Sequence, residues 1–219
     1  MKTVVIDYGS GNLRSVFRAF ERAAKDYKIS TNVTISDKPE DIAAADHIVL
    51  PGVGAFKDCY DGLKARKGVF EALHKAVQID KKPFLGVCVG MQLLATEGIE
   101  YDGSPGLNWI KGQVKTIEPN DKQLKIPHMG WNKLAYTNQG QSHDVLNDIE
   151  IGETGLHAYF VHSYQFHCDD ENECILTTDY GQKITALVAK DNIVGTQFHP
   201  EKSQALGLKF IANFLKWKP

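Results

Sequence analysis

Apolar positions fall into two regimes along the chain. In the first half, short unbroken apolar runs alternate with stretches of helical spacing. TVVID (3–7) is β-branched and ends at Tyr8-Gly9-Ser10-Gly11. After it, Leu13, Val16, Phe17, Phe20 and Ala24 recur at three- and four-residue intervals, which predicts an amphipathic helix. VTI (33–35), HIVL (47–50) and PFLGV (83–87) predict further strands. Val69, Leu73, Ala76 and Val77, and then Met91-Gln92-Leu93-Leu94, predict further helices. Apolar strands alternating with amphipathic helices imply a parallel sheet covered on both faces.

The second half is mostly strand-like. WIKGQVKTI (109–117), HAYFVHSYQF (157–166), ECILTTDY (173–180), KITALVA (183–189) and NIVGTQFH (192–199) follow one another, the later ones with short gaps. Asp191-Asn192 has the composition of a tight hairpin turn. A last helix is predicted over about 202–216, from Ala205, Leu208, Ile211, Ala212 and Leu215. The expected fold class is α/β: a central, mostly parallel sheet with helices on both faces and an antiparallel extension. No repeat or linker interrupts the chain, so one domain over residues 1–219 is expected.

Composition narrows the function. Hydrophobic residues are 42 % and charged residues 24 %, ordinary for a globular chain. A formal net charge of −2 supplies no field that would draw nucleic acid or an acidic membrane. No apolar run approaches the ~20 residues a membrane-spanning helix needs. Charge enters at Asp7, before a secretory apolar core can develop, so a cytoplasmic location is expected. Cys59, Cys88, Cys168 and Cys174 follow no paired spacing and are expected as reduced thiols. His167-Cys168 with Cys174 fits no usual ligand spacing, so no metal is expected there. Gly9-Ser10-Gly11 after the first strand invites a dinucleotide reading, but Arg14 stands where the third glycine is needed.

One stretch carries chemistry. Gly86-Val87-Cys88-Val89-Gly90 has the form G-x-nucleophile-x-G at a strand-to-helix junction. In such an elbow the central residue takes a strained backbone, and the glycines remove side chains that would collide with neighbouring strand and helix. The sulfur then lies at a helix N-terminus, where partial positive charge favours an anion. The N–H of Val89 would face the oxyanion of a tetrahedral intermediate. On this stretch alone a buried core thiol is an equal reading, since free cysteine is among the most buried residue types. A nucleophilic cysteine usually needs a base, and the base an orienting group. Of eight histidines, only His199, in Gln197-Phe198-His199-Pro200-Glu201, has a carboxylate suitably placed at a strand end. Pro200 makes His199 extended, and Glu201 can hold one ring nitrogen while the other faces the thiol.

GVCVGMQ together with QFHPEKS resembles the class I, triad-type glutamine amidotransferases. The resemblance implies Cys88 as nucleophile, His199 as general acid and base, and Glu201 as its orienter. It implies that the Val53 N–H, in Pro51-Gly52-Val53-Gly54, is a second oxyanion donor beside Val89, with Gly52 at the substrate. It makes Gln92 a glutamine-binding side chain, and His162-Ser163-Tyr164 the stretch that contacts the substrate's amino-acid end. DYGSGNLRSV (7–16), LPGVGAF (50–56), PHMGWN (127–132) and YFVHSY (159–164) further resemble the branch that serves as glutaminase subunit of imidazole glycerol phosphate synthase. Val89 departs mildly, since leucine is commoner there in the family.

The implied activity is hydrolysis of glutamine without metal or organic cofactor. The ammonia would pass to a separate (β/α)8-barrel cyclase subunit in a heterodimer, for histidine biosynthesis. Asn12, His128, Trp131, Tyr159 and Lys190 are implied at or near that interface and the ammonia exit. The alternative is a paralogue that supplies ammonia for surface-polysaccharide sugar modification. A cysteine peptidase or γ-glutamyl hydrolase on a related fold accounts poorly for Gln92. A non-catalytic binding module accounts poorly for an intact Cys88, His199 and Glu201.

Overall fold

The computed structural model describes residues 1–219. The first half runs β1 (Lys2–Ile6), α1 (Leu13–Asp26), β2 (Asn32–Ser36), α2 (Pro39–Ala43), β3 (His47–Gly52), α3 (Phe56–Ala65), α4 (Val69–His74), β4 (Phe84–Cys88) and α5 (Val89–Gln92). The second half continues with β5 (Glu97–Gly98), β6 (Ser104–Pro105), β7 (Gly112–Thr116), β8 (His128–Lys133), β9 (Ala135–Tyr136), β10 (His157–His162) and β11 (Tyr164–Cys168). It ends with β12 (Cys174–Asp179), β13 (Lys183–Lys190), β14 (Ile193–Thr196) and α6 (Gln204–Lys216).

The main sheet has eight strands in the order β2-β1-β3-β4-β14-β13-β12-β9. The strands from β2 to β14 are parallel neighbours, and β13, β12 and β9 extend the sheet antiparallel. This is the expected α/β layout. The central strands β3 and β4 are buried at every position, so they read as continuous apolar runs rather than alternating ones. Beside the main sheet stand a four-stranded sheet, β11-β7-β5-β6, and a two-stranded ribbon, β10-β8.

Four expectations change. The run 157–166 is two strands, because β10 pairs with β8 whereas β11 pairs with β7. The break falls at Ser163, whose carbonyl accepts the Ile117 N–H at 2.9 Å. The helix after Cys88 is a single turn, so it contributes little macrodipole at the sulfur. The helix from Val69 ends in a π-helical turn, Lys75–Ile79. Strand β8 lacked any alternating pattern to announce it. The Asp191-Asn192 turn does join β13 to β14, and Asn192 Nδ2 ties it to the carbonyls of Val77 (2.9 Å) and Lys82 (2.8 Å).

Helix α6 closes one face against α1, with Phe210 and Phe214 fully buried. The Phe210 ring meets Phe198, next to His199, edge-on at 5.9 Å. Phe210→Ala should therefore cost about 3–5 kcal/mol, by lost burial plus a cavity. Urea unfolding checks this, and a loss below about 1 kcal/mol would mean that α6 does not anchor the core.

Candidate active site

Three parallel strands end at one sheet edge. The pairing register sets Gly52 beside Cys88 and Thr196 beside Val87. The loop after β3, the elbow after β4 and the segment Gln197-Phe198-His199 after β14 therefore meet, as is common at the carboxyl ends of strands in open α/β sheets.

Cys88 takes φ 55° and ψ −110°, a backbone that side-chain-bearing residues rarely adopt and that is found at constrained sites. The glycines around it are sterically required. A Cβ on Gly86 would come within 2.5 Å of the Gly90 carbonyl oxygen, and one on Gly90 would run into the Leu50 carbonyl. Cys88 is 4 % exposed.

His199 is held by its backbone and its ring. Its N–H donates to the Tyr159 carbonyl at 2.9 Å, and its carbonyl accepts the Ser203 hydroxyl at 2.7 Å. A short turn, Pro200–Lys202, folds Glu201 back so that its Oε1 lies 2.8 Å from His199 Nδ1. Both side chains are buried. A carboxylate can only accept, so Nδ1 carries the hydrogen. Nε2 is buried without a hydrogen-bond partner of its own, and the Cys88 sulfur is the group that acts on it. Burial works against a charged ring, but Cys88 and Glu201 outweigh it and raise His199 to about 10.

A cleft of about 360 Å³ opens over the sulfur. Val53, Val89, Gln92, His162, Ser163 and Tyr164, all expected at the site, line it. Gly52 is buried beneath it, beside the Tyr8 hydroxyl. Gln92 is not a free side chain, since its Nε2 donates to the Tyr164 carbonyl (3.1 Å) and to Gln197 Oε1 (3.0 Å). Gln197 in turn places its Nε2 3.6 Å from Cys88 Sγ. Sequence reading passed over Gln197, although strand alternation puts it on the same face as His199. It also passed over Glu100 and Lys202, which line the cleft. Glu100 comes from a turn with no periodic signal.

The Val53 N–H is not turned to the sulfur. It donates to Ser10 Oγ at 3.3 Å, while the Ser10 hydroxyl donates to the Val53 carbonyl at 2.7 Å. The Cys59 thiol reaches the same carbonyl at 3.4 Å. Tyr8, buried behind the loop, donates to the Pro51 carbonyl at 2.7 Å. Burial first, and Cys59 second, push the Tyr8 phenol well above its ordinary range.

The expected interface residues divide. Trp131 meets Tyr159 edge-on at 5.6 Å, and Lys202 Nζ lies 5.5 Å over the Tyr159 ring, so these three form one cluster beside the cleft. Asn12 follows Gly11, which abuts Pro51 at the same edge. His128 is corrected: it is 2 % exposed, stacked between Phe160 and Tyr180, and presents nothing to a partner. Lys190 is also corrected. It pairs across from Ile193, at the start of β14 and so at the far end from His199, and bonds Glu173 at 2.6 Å. No group of three or more His, Cys, Asp or Glu is placed to hold a metal, and no helix is long and apolar enough to cross a membrane.

The profile of the family described as glutamine amidotransferase class-I matches residues 4–217. The imidazole glycerol phosphate synthase subunit HisH of Agrobacterium fabrum is 52 % identical over 219 residues, covering all of both chains. The proteins of that name from Rhodospirillum rubrum and Rhizobium meliloti are 52 % and 50 % identical over the same full length. Among solved structures, a glutamine amidotransferase superposes with TM-score 0.67 at 18 % identity, covering 98 % of this chain and 99 % of that one. Another, from Thermotoga maritima, gives TM-score 0.57 at 17 % identity, covering 92 % and 76 %. These structures speak to the fold alone.

The raised His199 has a stability consequence. A histidine held above its unfolded value of about 6.5 contributes stability that is full below that pH and lost as pH rises through about 10. The stability advantage of the wild type over His199→Gln should therefore shrink from pH 6.5 to 10 in urea titrations. A flat difference over that range would show that the ring is not held in its charged form.

Proposed function

We propose, for a chain that belongs to the class-I glutamine amidotransferase family, that it is the glutaminase subunit of imidazole glycerol phosphate synthase. The convergence of Cys88, His199 and Glu201 under one cleft carries this reading. Cys88 Sγ attacks the carboxamide carbon of glutamine, its proton being the one that His199 already holds on its charged ring. His199 gives that proton to the leaving nitrogen, and ammonia departs. Water, deprotonated by His199, cleaves the γ-glutamyl thioester to glutamate and restores the resting Cys88–His199 pair. Glu201 holds Nδ1 and stabilises the imidazolium. Only protein groups and water take part.

The Val89 N–H is one oxyanion donor. The Val53 N–H is the second, once it leaves Ser10 Oγ. Gly52 lets the loop lie close to the elbow, since a Cβ there would meet the Gly90 nitrogen at 2.6 Å. Gln92, His162, Ser163 and Tyr164 form the wall that takes the amino-acid end of glutamine, and the Glu100 carboxylate suits its α-ammonium group. The chain works as one domain in the cytoplasm, in a heterodimer with a (β/α)8-barrel cyclase subunit. Ammonia passes through a channel to that subunit, which joins it to a ribulosyl-aminoimidazole-carboxamide nucleotide for histidine biosynthesis. Asn12, Trp131, Tyr159 and Lys202 face the docking side. The polysaccharide paralogue is not favoured, because relatives matching over their full length carry the imidazole glycerol phosphate synthase name.

Cys88→Ala should bring glutamate release to background while the variant still binds the cyclase subunit. His199→Asn should be as inactive, whereas Glu201→Gln should retain measurable activity above that of His199→Asn, because an orienter contributes less than the base. Near-normal turnover by Cys88→Ala would remove the assigned nucleophile. Wild-type glutamate release should rise strongly when cyclase subunit and nucleotide are added together. Ser10→Ala should raise the partner-free rate about fivefold or more, since it removes both Ser10 hydrogen bonds that hold Val53, together about 1–3 kcal/mol. An unchanged rate would mean that Ser10 does not hold the loop.

A further inference from the structure

Two buried histidines, His162 in the substrate wall and His128 behind it, are unused by the reaction steps. His128 and His162 face each other across the β8–β10 ribbon. His162 Nδ1 lies 2.8 Å from the Tyr164 carbonyl oxygen. A carbonyl only accepts, so Nδ1 carries the hydrogen and Nε2 of the neutral ring is an acceptor. His128 Nδ1 lies 3.0 Å from that Nε2 and must therefore be the donor. His128 Nε2 then accepts from Asn132 Nδ2 at 3.2 Å, and Asn132 Nδ2 also donates to the Asp179 carbonyl at 2.7 Å.

The chain has one consistent set of proton positions, fixed at its two ends by backbone carbonyls. Charging either ring would set donor against donor. Burial opposes that charging, with His128 lowered to about 4 and His162 to about 3. The Tyr164 carbonyl at its end is the same oxygen that accepts Gln92 Nε2, and Gln92 reaches Cys88 through Gln197. The hydrogen-bonded chain thus closes over the kink at Ser163, where β10 passes into β11.

We propose that His128 is a positioning residue: by donating to His162 it fixes that ring's tautomer, and the His162–Tyr164 bond then holds the Ser163–Tyr164 backbone in the shape that receives the amino-acid end of the substrate. This rests on reading the cleft as a glutamine site. The device acts on substrate binding rather than on the sulfur, so it separates KM from kcat.

The test uses the full-length chain with its cyclase partner. His128→Phe keeps a ring between Phe160 and Tyr180 but removes the donor. His128→Asn keeps an N–H near the Nδ1 position. The expected result is a KM for glutamine raised about tenfold in the Phe variant, with kcat within about threefold and alkylation of Cys88 by iodoacetamide at the wild-type rate. The Asn variant should recover a KM closer to wild type. An unchanged KM in the Phe variant, or an Asn variant no better than Phe, overturns the proposal. Nitrogen-15 spectra of the wild-type histidine rings decide it independently of any variant's folding: both rings should be neutral with hydrogen on Nδ1, and the other tautomer or a charged ring at either overturns it. The spectra need no turnover, so they also separate failure of this proposal from failure of the glutaminase reading, which would show as no glutamate release by the wild type.

Discussion

The left-handed backbone at Cys88 is the constraint on which the rest of the site depends. A side chain held at φ 55° stores on the order of 1–3 kcal/mol, and only surroundings that over-determine it keep it there. Those surroundings are visible. Gly86 and Gly90 let strand β4, the turn and the Leu50 carbonyl approach to distances that any Cβ would forbid. The pairing of β3, β4 and β14 then fixes where the turn points. One consequence is the convergence of the Gly52 loop, the thiol and His199 at one edge. The strain is local, but the whole parallel sheet holds it.

A buried site of this kind also has to satisfy its polar groups. Leaving one buried donor or acceptor unpaired costs about 1–3 kcal/mol. Most of the wall is paired: Gln92, Gln197, His162, His128 and Asn132 bond one another or backbone carbonyls in an unbroken series. Two atoms at the centre are orphaned, His199 Nε2 and Glu201 Oε2. On the proposed mechanism, an Nε2 with no other partner can hold and release a proton at the sulfur, because a nitrogen already bonded elsewhere could not. The surrounding network is rigid where the reaction needs shape and open where it needs exchange.

The parallel half of the fold was legible because its strands are buried on both faces and therefore unbroken apolar runs, as in HIVL and PFLGV. The residues Cys88, His199 and Glu201 were legible because the glycine elbow and the His-Pro-Glu turn leave local marks. Strand β8 left none: Met129 and Trp131 are exposed, Gly130 brings no side chain, and its structure comes from pairing with β10. The split at Ser163 is equally a product of tertiary partners, invisible in an alternating run. Gln197 and Glu100 lay outside the reading because their importance comes from what folds against them. His128 and Lys190 went astray for the opposite reason, since a position in a motif fixes neither burial nor the end of a strand at which a side chain falls.

On the proposed roles, the magnitudes at the Val53 loop favour a partner-dependent enzyme. In this conformation the loop keeps two hydrogen bonds with Ser10, each worth about 0.5–1.5 kcal/mol net. An oxyanion donor is worth about 2.7–4 kcal/mol, but only in the transition state. Ground-state substrate therefore gives the loop little reason to turn, and the resting conformation prevails when the chain is alone. A partner needs to favour the turned loop by only about 1–3 kcal/mol to expose the second donor, a modest differential affinity for a docking surface. Tyr159 joins the relevant parts: its ring lies in the cluster with Trp131 and Lys202, and its carbonyl holds the His199 backbone. Pressure on that cluster is thus one hydrogen bond from the proposed base, whereas Val53 must be reached through the exposed loop itself. On the proposed roles the base is built in and the Val53 N–H is conditional, which would place control on the oxyanion rather than on the nucleophile.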